Sequence, residues 1–379
     1  MSIPFVYGRI AETSNFTDRE NETEYLIRNF KNLTNTIIIS PRRWGKTSLV
    51  RKTSEIIAKR EQDIIVCHID IFNCRTEEQF YNAFASAILK ASLSTWKKVV
   101  EGAKKYLGRF SPNISFSDTS KTYEISFGVD FKDTTLSFDE ILDLPQTIAN
   151  DLKKQVVVCI DEFQNITDYS DALGFQQKLR SHWQLHKKVC YCLYGSKRHM
   201  LLNIFTDYSM PFYKFGDILF LEKIKREDWI AFISKRFQAT GKKISQDLCG
   251  TIADVMKNHP YYTQQLSQQV WLRTEKECTQ EIVNTALHDL IAQLSLLFTN
   301  IFDSLTPKQI NFLYAIVAGE TNFSSKDVLK KYDLGTSANI KNLRSATLEK
   351  DLIDIVPGNH IVIQDPVFEH WLKGMSKGK

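Results

Sequence analysis

Glycine and proline are scarce in this chain, with 15 and 9 of them among 379 residues. That excludes a collagen-like repeat and a low-complexity linker protein, both of which depend on those residues. No C-x-x-C spacing occurs, so no zinc site is expected. Charge of one sign is lacking as well: 49 Lys+Arg against 44 Asp+Glu leave a net +5, too mild to announce nucleic-acid binding. No uncharged apolar run approaches the ~20 residues of a membrane helix. Met1 to Arg9 has no basic flank followed by an apolar stretch. The expectation is therefore a cytoplasmic protein with no signal peptide and no membrane partner. What is present is a globular composition, 43% hydrophobic and 25% charged, which excludes a disordered tail. The seven cysteines are an odd number, and Cys67, Cys159, Cys190 and Cys192 lie in apolar runs, so buried reduced thiols are expected.

The length suggests roughly two to three domains. Between residues 36 and 222 short apolar runs alternate with helical patterns: Ile37–Ile39, Ile64–Phe72, Val156–Ile160, Val189–Tyr194 and Ile218–Leu221. Continuous apolar strands separated by helices predict a parallel five-stranded sheet with helices on both faces, an α/β domain over 1–222. Residues 94–137 read as an insertion. A basic stretch (Lys97, Lys98, Lys104, Lys105, Arg109) is followed by a strand alternating Tyr123, Ile125, Phe127, Val129 and Phe131, with Asn113–Phe116 as a possible hairpin partner. Residues 223–304 are helical throughout, with Ser245 as an N-cap and Pro260 at a helix start. Residues 305–379 carry three short helices, then Leu352–Val356, the turn Pro357-Gly358-Asn359 and His360–Ile363, which is the winged-helix pattern.

Chemistry concentrates in Ser40-Pro41-Arg42-Arg43-Trp44-Gly45-Lys46-Thr47. It follows a strand and opens a helix, as the phosphate-binding template G-x-x-x-x-G-K-[ST] requires, and departs from it only in Ser40 at the first glycine. Loop amides and the helix N-terminus would converge on phosphate oxygens. Gly45 would allow close approach, Lys46 would reach the β- and γ-phosphates, and the Thr47 hydroxyl would meet Mg²⁺. A second strand ends in Asp161-Glu162. Asp161 would hold Mg²⁺ through its water shell, and Glu162 would polarise the attacking water, which favours hydrolysis over phosphotransfer. A third strand ends in Tyr194-Gly195-Ser196-Lys197-Arg198. There Ser196 is the candidate reader of the γ-phosphate and Arg198 a candidate charge clamp, against the alternative of a plain strand-end turn. ATP and Mg²⁺ are the expected ligands.

These residues, with Phe16-Thr17-Asp18-Arg19-Glu20, Pro211-Phe212-Tyr213-Lys214 and Asn258-His259-Pro260, resemble the archaeal-type ATPase family of the STAND and AAA+ P-loop ATPases over about 16–270. Pro41 through Ser48 is the most specific piece. The resemblance implies a sheet domain, a helical lid and a winged helix. It implies that the segment from Phe16 through Arg19 to Glu22 lies beside the adenine. His259 and Pro260 then belong to a lid motif packing on the nucleotide, where Asn258 replaces the usual Gly. Lys214 stands where the family often has Arg, and Arg180 is an alternative finger should the chain form a homo-oligomer.

The third helix of a winged helix often enters the DNA major groove, and here it carries Asn339, Lys341, Asn342 and Arg344. Residues 301–379 hold ten Lys+Arg and nine Asp+Glu, a net of +1. So little charge favours a latch against the lid or an unidentified protein partner over DNA. The expected function is an ATP-binding and ATP-hydrolysing switch that rearranges lid and winged helix. The alternative is a nucleotide-gated DNA- or protein-binding module with little turnover.

Overall fold

A strand that is apolar on both sides has to be covered on both sides. The computed structural model describes residues 3–8, 19–96, 111–117, 122–128, 137–356 and 358–376. They divide into two compact units: Arg19–Glu222, and Lys223–Lys379 together with the N-terminal end of the chain.

The first unit contains α1 (Glu20–Lys31), β1 (Thr36–Ile39), α2 (Lys46–Arg60), β2 (Ile64–Asp70), α3 (Glu77–Trp96), α4 (Phe138–Asp151), β5 (Gln155–Asp161), α5 (Ala172–Trp183), β6 (Val189–Gly195), α6 (Arg198–Thr206) and β7 (Asp217–Phe220). A hairpin of β3 (Ser111–Ser117) and β4 (Thr122–Gly128) lies between α3 and α4. Five strands form one sheet in the order β2-β5-β6-β1-β7, every pair parallel, as expected from the apolar runs. On one face Ile37, Val158 and Leu193 join a core in which Trp183 stacks on Tyr191 at 4.1 Å. Ile38 alternates to the other face. There Asn29 of α1 donates to the Thr36 hydroxyl at 3.0 Å. The hairpin pairs antiparallel, Tyr123 opposite Phe116 and Ile125 opposite Ile114. Val129, Phe131 and the basic stretch Lys97–Arg109 lie outside the described residues. All seven cysteines are buried and none is bonded to another.

The second unit contains α7 (Arg226–Ala239), α8 (Gln246–Val255), α9 (Pro260–Arg273), α10 (Gln280–Asp303), α11 (Pro307–Val317), α12 (Lys326–Lys331), α13 (Ser337–Glu349), β8 (Ile353–Val356), β9 (His360–Ile363) and α14 (Pro366–Ser376). Three helices followed by an antiparallel hairpin form the winged helix. Ser245 caps α8, accepting from the Leu248 amide, and Pro260 opens α9. By length and composition α10 could cross a membrane, and in this fold its Val283, Ala286, Leu290 and Phe298 are buried in the core of the unit.

Two features depart from the expected boundaries. Residues 3–8 pack in this unit and not with the sheet: the Phe5 ring lies 6.1 Å from Phe232 and 5.9 Å from Phe237, and Gln268 donates to the Phe5 carbonyl. Phe5 needs an apolar enclosure, and α7 and α9 supply it. The lid and winged helix, read as 223–304 and 305–379, also share one continuous core. Phe298 meets Phe368 at 5.3 Å and Phe302 meets Trp371 at 5.7 Å. Polar ties follow the same seam: the Tyr262 hydroxyl donates to Asp365, Lys257 pairs with Glu369, and His370 meets the Val255 carbonyl at 3.0 Å. The helix that makes most of these contacts, α14, was not anticipated from the sequence.

Truncating the buried Phe298 to Ala is expected to cost about 3–5 kcal/mol, the usual price of a large core cavity. Because the core is shared, amide-exchange protection should fall together in α9 and α14. Loss of protection in α14 with α9 unchanged would show two separate cores.

Candidate nucleotide site

The site lies where the parallel strands end. The P-loop strand β1 and the acidic strand β5 flank β6, so the end of β6 falls between the two motifs, as the expected reader of the γ-phosphate requires. Gly45, in the left-handed region at φ 89°, turns the loop into α2, and no side chain caps that helix and no acidic residue occupies its first turn. Its first-turn amides and positive dipole end therefore suit an anion. Arg43 is also left-handed, at φ 62°, whereas Ser40 is not among the positive-φ residues. The first template position thus does not need glycine here, and the replacement by Ser40 costs no backbone strain.

Lys46 is buried, and its ammonium donates to the Ser40 carbonyl (2.9 Å), the Ser40 hydroxyl (3.2 Å) and the Pro41 carbonyl (2.7 Å). Burial pushes its pKa down to about 8, with the nearby Glu162 and Asp161 charges opposing the shift. The Thr47 hydroxyl donates to Asp161 Oδ2 at 2.7 Å, which joins motifs 114 residues apart. Asp161 Oδ1 accepts from the Glu162 amide at 2.9 Å. Burial, aided by the Glu162 charge, pushes the Asp161 carboxyl up to about 6 even against the Thr47 hydrogen bond. A buried ammonium, a carboxyl held above its usual range and a hydroxyl beside it form a donor set that suits phosphate and a hard divalent cation.

Glu162 sits at φ 54° at the start of a short 3₁₀ turn, Phe163–Asp168. Its Oε2 accepts from the Ser196 hydroxyl (2.9 Å), the Ser196 amide (3.3 Å) and Gln164 Nε2 (2.5 Å). Ser196 therefore holds the carboxylate expected to act on water. Gln164 and Gly195 were missed. A Cβ on Gly195 would lie 1.8 Å from Gln164 Oε1, so a larger residue there would displace the Gln164 amide that donates to Glu162. The sequence signal was the Gly195-Ser196 pair itself.

The other expected residues are dispersed. Arg198 opens α6, and Arg42 and Arg43 are exposed in the loop while Trp44 is half-buried; Pro41 and Ser48 are buried. Arg19 is buried with its guanidinium on Glu22 (2.7 Å) and the Glu222 carbonyl (2.5 Å), so it ties the two ends of the sheet unit together. Phe16 lies outside the described residues. His259 and Pro260 belong to the second unit, where buried His259 caps α9 by accepting from the Tyr261 amide. Asn258 is left-handed at φ 58°, a conformation that asparagine tolerates better than most residues, so it can fill a glycine's place. Lys214 is left-handed too, at φ 53°, and the Arg180 guanidinium lies over the Phe215 ring at 4.9 Å.

Residues 296–374 match the family model of a probable winged helix domain. No curated protein matches the chain. Among solved structures it is similar to the Walker-type ATPase PABY2304 of Pyrococcus abyssi, with TM-score 0.66 and 17% identity over 96% of this chain and 97% of that one. It is also similar to the ORC2 protein of Aeropyrum pernix in ADPNP–ADP complexes, with TM-score 0.55 and 14% identity over 98% and 99%. The fold is that of the AAA+ P-loop proteins, carrying a C-terminal winged helix.

The pKa of Asp161 gives a pH signature. A carboxyl whose folded pKa lies above its unfolded value contributes stability in full below about pH 4, and that stability is lost as pH rises through about 6. Without nucleotide or divalent cation, Asp161→Asn should be more stable than the native chain at pH 8, by up to about 2–3 kcal/mol. The difference should vanish near pH 4. Denaturant unfolding of both proteins at the two pH values checks this, and an advantage independent of pH would contradict it.

Proposed function

We propose that the chain binds Mg-ATP at the P-loop and hydrolyses it. The observation that carries this reading is the 2.7 Å contact between Thr47 and Asp161, by which the sheet joins the phosphate loop to the acidic strand end. Lys46 would exchange its loop carbonyls for phosphate oxygens, and the uncapped amides of α2 would take the rest. Thr47 and Asp161 would hold Mg²⁺, which when bound supplies charge neutralisation of the phosphates. Glu162 would orient and polarise water once Ser196 and Gln164 release it. In this reading the lid and winged helix respond as one body, because they share a core. The winged helix then acts as a latch or a protein contact, in keeping with its near-neutral charge. A cytoplasmic location and assembly of several copies, with Arg180 acting across subunits, complete the proposal, as does membership of the STAND branch.

One observation favours the alternative of a nucleotide-gated DNA- or protein-binding module with little turnover. The Glu162 carboxylate is already occupied by three donors. A steady-state ATPase assay across protein concentration, with and without DNA, separates the two readings.

Lys46→Ala should weaken Mg-ATP binding by orders of magnitude, because the loop amides remain but the charge on the phosphates is gone. Isothermal titration checks this, and equal affinity would remove the P-loop assignment. Glu162→Gln should bind Mg-ATP as the native chain does and lose turnover, since the amide fills the space but takes no proton. Undiminished turnover in that variant would show that Glu162 is not the base.

A further inference from the structure

At the N-terminal ends of the strands, away from the P-loop, the sheet unit has a groove of about 530 Å³ lined by Lys31, Glu61, Asp63, Lys153, Lys154, Lys187 and Lys188, with Leu33 and Ile64 among its few apolar residues. The lysines come from the ends of α1 and α4 and from the loop before β6, and no local motif in the sequence joins them. Lys153-Lys154 and Lys187-Lys188 each directly precede a strand, β5 and β6, and these strands are neighbours. The two dyads are thus held side by side, about one strand spacing (~5 Å) apart.

Two of the five lysines have an internal role. Lys31 pairs with Glu61 at 2.7 Å, and Lys154 donates to the Gln62 carbonyl at 2.5 Å. The side chains of Lys153, Lys187 and Lys188 have no ion-pair or hydrogen-bond partner among the described residues. Two acidic groups against five lysines leave the groove at +3. Lys153 and Lys187 are exposed and Lys188 is half-buried, so all three ammonium groups are open to a ligand from solvent.

We infer that this groove docks a nucleic-acid duplex through its phosphate backbone, separately from the winged helix. The lining selects the occupant. It has no aromatic ring on which unpaired bases could stack, and it has no arginine fork for base edges. A groove of about 530 Å³ admits one phosphate strand of a duplex and not its full width, and lysine point charges match the evenly spaced charges of that strand. A flat bilayer does not enter a concavity, and an acidic peptide would find little apolar surface to anchor it. The inference does not depend on ATP hydrolysis.

The test uses the full chain and a labelled DNA duplex, with affinity measured by fluorescence anisotropy across a salt series. Lys153→Gln, Lys187→Gln and Lys188→Gln together should weaken binding at low salt at least tenfold. They should also flatten the slope of log Kd against log salt by about 2–3, one counterion step per lost phosphate contact. Mg-ATP affinity should be unchanged, and thermal stability equal or higher because repulsion is relieved. The single variant Lys187→Gln should flatten the slope by about 1. The inference falls if affinity and slope are unchanged in the triple variant. It falls too if Lys341→Gln with Arg344→Gln alone abolishes duplex binding. Loss of binding to phosphatidylserine vesicles with duplex binding intact would overturn it in favour of a membrane surface.

Discussion

The sheet unit is arranged around a buried ammonium. Lys46 is desolvated at the start of a helix whose own dipole opposes a positive charge there. Only the carbonyls of Ser40 and Pro41, the Ser40 hydroxyl and the more distant charges of Asp161 and Glu162 compensate it. Those acids are present because β5 lies one strand away from β1, across β6. Their own burial holds Asp161 above its usual pKa. The site therefore contains both signs of charge in an environment that favours neither, an arrangement that folding alone does not reward and that a polyanion with a divalent cation would relieve.

The same geometry restrains Glu162. Its left-handed backbone turns the chain into the 3₁₀ segment and aims the carboxylate at the end of β6. Gly195 leaves room for the Gln164 amide, which a Cβ there would displace from the carboxylate. Strain at Glu162 and the absence of a Cβ at Gly195 are two parts of one device, which brings the strand ends close enough for Ser196 to reach the carboxylate.

The parts legible in the sequence were those encoded locally. Ile37–Ile39 followed by Gly45-Lys46-Thr47 names a strand, a turn and a helix in one stretch, and Val156–Ile160 ending in Asp161-Glu162 does the same. Apolar runs foretold the five strands, of which β1 and β6 are buried throughout while the edge strand β7 is exposed at both ends. What escaped depends on residues far apart in sequence. Nothing in Phe5 says that its partners are Phe232 and Phe237. Arg19 reads as a polar residue near a motif, yet its guanidinium reaches the Glu222 carbonyl 203 residues away. The short helix α14 was hidden behind the wing, and with it the contacts of Phe368 and Trp371 that join winged helix and lid.

Parallel strands also explain why the two ends of the sheet differ. Since β1, β2, β5 and β6 run the same way, the helices returning between them start at the P-loop end and finish at the groove end. Helix N-termini therefore gather where phosphate is expected, and helix C-termini, with their free carbonyls, where the lysines are. That dipole argument accounts for basic residues near the groove in general. It is sufficient for Lys154, whose ammonium meets the carbonyl of Gln62 just beyond α2. It is insufficient for Lys187 and Lys188: they lie after α5 has ended, and their amides already meet Gln146 Oε1. Their side chains still project into a concavity already made positive by Lys153. Helix ends attract cations one at a time, whereas this cluster is drawn from several elements and keeps an excess of +3 over its two acids, which matches it in sign to an anion from outside the chain.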